Sequence, residues 1–218
     1  MAYEITNIAI EDYIAALMPE RPPIFAELER RAYLHGLPLL GPTQGQFLYL
    51  LAKSTGAREA LEIGTATGYA AMWLLRAVAP AGGRLTAIER QPDRYRLALE
   101  YTERAGYKDA FEIYEGEWFE VLGRLPGPYD LIFLDILRNL SNEEQAPHAL
   151  ELCVPRLRPG GLLIADNVLC SGLVVEEDAA PVVRGIQAFN RAMMHHPELE
   201  SVIIPLRDGV AIGRKKDS

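Results

Sequence analysis

Apolar residues recur every three or four positions through the first fifty residues. After that they fall into short unbroken runs separated by polar, glycine-rich turns. Positions 4–18 read as a helix that ends before Pro19. Positions 22–35 read as a second, with Ile24, Leu28 and Ala32 at four-residue spacing. A Gly/Pro-rich break at 36–42 (GLPLLGP) precedes a third helix, which Thr43 is placed to cap and whose apolar face holds Phe47, Leu48, Leu50 and Leu51. From there the pattern alternates. Runs at 60–64, 84–89, 111–116, 129–135 and 161–166 predict strands. Segments 68–79, 93–105, 118–125 and 142–157 predict helices, the second of these with an inner stripe of Tyr95, Ala98, Leu99, Thr102 and Ala105. Strands alternating with helices imply a parallel sheet joined by right-handed crossovers. The runs LIFL and LLIA suit strands covered on both faces.

The rhythm changes after a helix at 181–195. Runs at 201–206 and 210–214 flank Arg207-Asp208-Gly209, and Asp-Gly between two apolar runs is a hairpin signal. The prediction is an α/β fold. Its seven-stranded sheet is mostly parallel, carries helices on both faces and ends in an antiparallel C-terminal hairpin strand.

Composition narrows the function. The chain has 218 residues, 49% of them hydrophobic and 24% charged, which is ordinary for one globular domain. With 22 Lys+Arg against 30 Asp+Glu the formal charge is −8, a poor match to general nucleic-acid binding. Two cysteines, Cys153 and Cys170, make neither a disulfide framework nor a CxxC metal site. The N-terminus lacks the pattern of a signal peptide, and no apolar run approaches the roughly 18 residues of a membrane span. A cytoplasmic location is the simplest expectation.

In an open parallel sheet, ligands bind beyond the carboxyl ends of the strands. The first strand leads into Glu62-Ile63-Gly64-Thr65-Ala66-Thr67-Gly68-Tyr69, where glycines allow a sharp turn and close ligand approach. The Gly-x-x-x-Gly spacing is neither GxGxxG nor a Walker loop. Glu89 ends the second strand, where a carboxylate either accepts both ribose hydroxyls of an adenosine ligand or simply faces water. Gly116-Glu117-Trp118 follows the third, with Trp118 lining an adenine pocket or packing locally. Asp135 ends the fourth strand, and Asp166-Asn167 ends the fifth. If these two strands are neighbours, their ends lie about 5 Å apart. Two such carboxylates repel unless a cation lies between them, and an oxygen-only donor set favours Mg²⁺, Mn²⁺ or Ca²⁺ over zinc. The alternative has one Asp capping a turn and the other in water.

Taken in order, EIGTATGY, the acid of TAIE, LIFLD, RPGGLLIADNVL and PLRDGVAIGRK resemble the cation-dependent O-methyltransferases of the catechol and caffeoyl-CoA type, over about residues 41–215. The resemblance implies a Rossmann-like methyltransferase sheet and S-adenosylmethionine as methyl donor. It implies cofactor contacts from Leu40, Glu62, Gly64, Thr65, Gly68, Tyr69, Glu89, Arg90, Gly116, Glu117, Trp118 and Asp135. It further implies a divalent cation on Asp135, Asp166 and Asn167, and Asp135 and Arg138 at the catalytic positions. The acceptor would be a hydroxyl of a small, aromatic molecule and the assembly a homodimer. The expected organisation is one domain, 1–218, with 1–42 a helical cap or dimerisation segment and 43–218 the catalytic core.

Three departures stand out. Arg138 occupies the place where the family has the lysine of a DxxK motif, and arginine does not deprotonate usefully. It holds an anionic oxygen or a substrate carboxylate, or it is a solvated loop residue. The hydroxyl is then ionised by the metal alone, another group takes the proton, or activity is altered or lost. Residues 139–145 lack the tyrosines common after that motif, and Cys170 replaces an aromatic residue after DNVL. Competing functions are methylation of a tRNA nucleoside hydroxyl, which needs only a local basic patch, and a cofactor-binding protein without turnover. An NAD-dependent reductase is disfavoured by the glycine spacing. His35, His148, His195, His196 and the Arg214-Lys215-Lys216 tail read as structural or solvated positions.

Overall fold

The computed structural model describes residues 5–140 and 143–217. These residues divide into two compact units, the first spanning Ile8–Val121 and the second running chiefly from Leu122 onward. The first holds α1 (Ile8–Ala16), α2 (Pro23–His35), α3 (Pro42–Ser54), β1 (Glu59–Ile63), α4 (Tyr69–Val78), β2 (Arg84–Glu89), α5 (Pro92–Arg104) and β3 (Phe111–Glu115). After α6 (Trp118–Arg124) come β4 (Tyr129–Leu134), α7 (Gln145–Cys153), β5 (Leu157–Asp166), α8 (Pro181–Met194), β6 (Leu199–Ile204) and β7 (Val210–Lys215). The strand order is β3-β2-β1-β4-β5-β7-β6. β6 and β7 pair antiparallel, as the Asp-Gly hairpin signal predicts, and β7 also lies antiparallel to β5.

Within the first unit, β2 pairs in parallel with β1 and β3. The apolar helix α4 packs against them, and apart from Arg76 every one of its residues is buried. Phe25 of α2 packs on it, with its ring 5.7 Å from Tyr69 and 4.8 Å from Trp73. The Arg76 guanidinium lies over the rings of Phe25, Tyr49 and Trp73 at 5.6, 5.1 and 4.9 Å, so aromatic faces stand where a carboxylate would otherwise be needed. In the second unit β5 lies between β4 and β7, and Leu162–Asp166 are buried, as an inner strand requires.

Several local expectations are corrected. α3 begins at Pro42 after Gly41 (φ 85°), with no side-chain cap, so Thr43 lies inside the helix. Proline supplies the helical φ and lacks the N–H that a cap would satisfy, and α2, α5 and α8 also open on proline. The buried face of α3 is Gln44, Gly45, Leu48 and Ala52, while Leu50 is exposed. On α2 Phe25 replaces Ile24 in the buried set. On α5 the buried stripe is Ala98, Tyr101 and Thr102, and Leu99 is exposed. α1 is shorter than the predicted 4–18, and α7 stops at Cys153 before a 3₁₀ turn containing Pro155. The predicted starts of these two helices, Glu4 and Asn142, lie outside the described residues. Among the described residues no helix is long and apolar enough to cross a membrane.

Candidate active site

In the first unit, β1 delivers Glu62 to a fully buried position, where it accepts a hydrogen bond from the Thr65 hydroxyl at 2.6 Å. The chain then turns through Gly64 (φ 89°), Ala66 (φ 48°) and Gly68 (φ 81°). Gly68 has no substitute. A Cβ there would lie 2.9 Å from the Ala98 backbone of α5, and the left-handed φ disfavours any side chain. Glu89, only 5% exposed at the end of β2, binds across this turn. One carboxylate oxygen accepts from the Ala66 N–H at 2.9 Å and the other from the Gln91 N–H at 2.8 Å. Each oxygen retains lone-pair capacity for a further donor. Beyond β3, Gly116 (φ 151°) donates to the Glu89 carbonyl at 3.0 Å. Glu117 pairs with Arg90 at 3.7 Å, and the half-buried Trp118 ring packs edge-on against Phe119 at 5.9 Å. Leu40 is buried just before α3.

Tyr69 has a different setting. Its side chain is 2% exposed and its hydroxyl donates to Glu29 of α2 at 2.6 Å. Glu29 also accepts from Arg21 at 2.9 Å. Burial, followed by the bond to Glu29, raises the Tyr69 pKa well above the usual phenol value. What Tyr69 leaves available to a ligand is its backbone at the start of α4.

In the second unit, β4 and β5 pair in parallel with Leu134 opposite Ala165. The next residues on the two strands are Asp135, half-buried, and Asp166, 4% exposed. Adjacent parallel strands set such positions about 5 Å apart. Asn167 follows in the left-handed region (φ 61°), its N–H donating to Asp166 Oδ1 at 2.7 Å. No hydrogen bond to its side-chain amide is found among the described residues. Two carboxylates and an amide oxygen at one strand edge fit a hard divalent cation. Among the described residues no group of three or more His, Cys, Asp or Glu side chains could hold a metal ion.

The segment after Asn167 is strained. Cys170, Ser171 and Gly172 have φ of 47°, 55° and 78°. For a non-glycine residue this region costs about 1–2 kcal/mol. Cys170 is buried, which pushes its thiol pKa up and makes it a poor nucleophile. Arg138, on the 3₁₀ turn after β4, donates from Nη2 to the Ser171 hydroxyl at 2.5 Å. The same nitrogen lies 2.7 Å from Asp208 Oδ2, an ion pair whose alignment is not that of a hydrogen bond.

A family model described as O-methyltransferase matches residues 17–216. The chain belongs to the O-methyltransferase family. Catechol O-methyltransferase of Niastella koreensis is 29% identical over 216 residues, covering 94% of this chain and 95% of that protein. Catechol O-methyltransferase of Mycobacterium tuberculosis is 33% identical over 174 residues, covering 79% and 74%. The crystal structure of an O-methyltransferase from Bacillus cereus in complex with S-adenosylhomocysteine is 28% identical, with a TM-score of 0.84 and coverage of 95% and 97%. The chain is accordingly an S-adenosylmethionine-dependent O-methyltransferase of the catechol and caffeoyl-CoA type.

Among this O-methyltransferase's expected site residues, Glu62, Gly64, Thr65, Gly68 and Glu89 gather around one turn of the first unit. In the second, Asp166 and Asn167 are joined by a hydrogen bond at the end of β5, and Asp135 follows Leu134 at the end of the neighbouring β4. Arg138 is exposed, yet its guanidinium is attached to Asp208 and Ser171. Sequence reasoning did not single out Glu29, Ser171 or Asp208 as site residues. Asp208 was legible only as a turn former, because its side-chain partners lie 37 and 70 residues away along the chain.

Proposed function

We propose that this methyltransferase acts on a hydroxyl of a small, catechol-like acceptor, assisted by a divalent cation on Asp135, Asp166 and Asn167. The β4–β5 register supports this reading, because it pairs Leu134 with Ala165, the residues immediately before Asp135 and Asp166. Mg²⁺ suits the oxygen donors best, with Mn²⁺ or Ca²⁺ as substitutes. A bound cation supplies positive charge that lowers the pKa of a hydroxyl and fixes its orientation. Glu89 would accept the ribose hydroxyls of the methyl donor, and Arg90, Gly116, Glu117 and Trp118 would flank its adenine. Leu40, Glu62, Gly64, Thr65, Gly68 and the Tyr69 backbone would serve its methionine end. In the transfer the S–CH₃ bond breaks, its electron pair stays on sulfur as a neutral thioether, and an O–CH₃ bond forms. The hydroxyl proton leaves to solvent, since Arg138 remains a cation throughout.

We read 1–218 as one methyltransferase domain that works as a homodimer through its N-terminal segment 1–42. Ile8, Ile10, Tyr13, Ile14 and Leu17, all exposed, support the second part.

The test is transfer of a labelled methyl group to catechol, with and without EDTA, in the wild type and Asp166→Asn. Turnover should vanish with chelator, return with Mg²⁺, and fall about a hundredfold or more in the variant. S-adenosylhomocysteine affinity should not change in the variant. Chelator-insensitive turnover refutes the cation. Cofactor binding without transfer to catechol, caffeate or 3,4-dihydroxybenzoate refutes the small-phenol acceptor.

A further inference from the structure

Position 138 invites the idea of proton transfer, but its surroundings suit a different task. The segment from Asn167 to Gly172 runs through four left-handed residues, two of which, Cys170 and Ser171, gain nothing from that conformation. Strained backbone persists only where neighbours over-determine it. Here those neighbours converge on Asp208. Its carbonyl accepts from the Leu169 N–H at 2.9 Å, and its Oδ1 accepts from the Ser171 N–H. The adjacent Gly209 carbonyl accepts from the Val168 N–H at 3.2 Å. Arg138 completes the set by binding the Ser171 hydroxyl and pairing with Asp208. The Asp208 side chain is 19% exposed and that of Arg138 43%, so the pair is partly shielded from solvent. One guanidinium thus ties three loops together: the turn that follows Asp135, the segment that follows Asn167, and the β6–β7 hairpin.

We propose that Arg138 and Asp208 form a positioning clamp that holds the strained 167–172 segment, and with it Asn167, in the cation-binding arrangement. Position 138 anchors the site and takes no proton. The inference rests on the reading of Asp135, Asp166 and Asn167 as cation ligands. Neither clamp residue is itself a ligand.

Charge and position predict opposite signs for one variant, which makes the clamp testable. Removing a positive charge near a cation site strengthens cation binding if only the electrostatic field matters. Removing a support that orients a ligand weakens it, typically by 10–100-fold. Mn²⁺ affinity is therefore measured by calorimetry on the wild type, Arg138→Met, Asp208→Asn and Arg138→Lys. S-adenosylhomocysteine affinity and amide hydrogen exchange of residues 168–172 are followed alongside. Both Arg138→Met and Asp208→Asn should bind Mn²⁺ at least about tenfold more weakly and exchange faster in that segment, with cofactor affinity within about threefold of wild type. Arg138→Lys, which keeps the charge opposite Asp208, should recover most of the Mn²⁺ affinity. Tighter or unchanged Mn²⁺ binding in Arg138→Met overturns the clamp. So does a parallel loss of cofactor binding, which would mark general unfolding. A wild type that binds no Mn²⁺ overturns the cation reading and the clamp together. Normal wild-type binding with insensitive variants overturns the clamp alone.

Discussion

Replacing Tyr69 with Phe removes one hydroxyl and leaves the aromatic packing on Phe25 and Trp73 in place. The lost bond runs from a buried donor to a carboxylate at 2.6 Å. Hydrogen bonds to charged groups contribute about 1.5–3 kcal/mol. The Glu29 side chain is 24% exposed and keeps Arg21, so water can partly replace the lost donor and the lower end applies. A loss of about 1.5 kcal/mol lowers the unfolding midpoint of a chain this long by about 3–6 °C. The pH dependence sharpens the test. Burial and Glu29 raise the folded-state pKa of Tyr69, whereas the unfolded phenol ionises near pH 10. The folded state therefore holds this proton more tightly. The stabilisation is fully present below about pH 10 and is lost as pH rises towards the folded-state value. At pH 11 one proton's linkage has removed about 1.4 kcal/mol from the wild type and nothing from the variant. Urea unfolding should thus show a gap of about 1.5 kcal/mol between the two proteins at pH 7.5, nearly closed at pH 11. The other nine tyrosines titrate alike in both and cancel in the difference. A gap of constant size across that range, or no gap at neutral pH, refutes the reasoning.

Two further outcomes follow from the same geometry. Glu89→Gln keeps the shape of the side chain but removes its charge and exchanges an acceptor for a donor. S-adenosylhomocysteine affinity should fall about 10–100-fold by calorimetry, and unchanged affinity would remove Glu89 from the ribose role. Gly209→Ala places a Cβ 2.8 Å from Leu169 Cδ1 at a backbone φ of 82°. Strain and overpacking together should cost about 2–4 kcal/mol in denaturant unfolding, and a neutral effect would contradict the close approach of the hairpin turn to the segment it braces.

The sheet was legible because its signals are local. LIFLD and LLIADN carry the apolar runs of buried strands, and β4 and β5 pair in parallel as neighbours. Asp-Gly announced the reversed strand. Helix faces were harder to read. On α5 the apolar spacing puts Leu99 in the core, but Tyr101 occupies the inward position and holds its hydroxyl near Glu27, at 3.3 Å. A tyrosine that is apolar along its ring and polar at its tip does not register in an apolar/polar pattern. The partners of Arg138 were invisible for another reason. A pairing between residues 138 and 208 leaves no periodic trace, so the arginine looked like a lost base when the fold had given it a place.

Glu89 has one more implication. Two main-chain donors fix its carboxylate, so the rotamer freedom that a long acid normally gives up on meeting a partner has been surrendered during folding. In the proposed ribose role, spent and fresh nucleosides would trade places on an acid that needs no re-aiming.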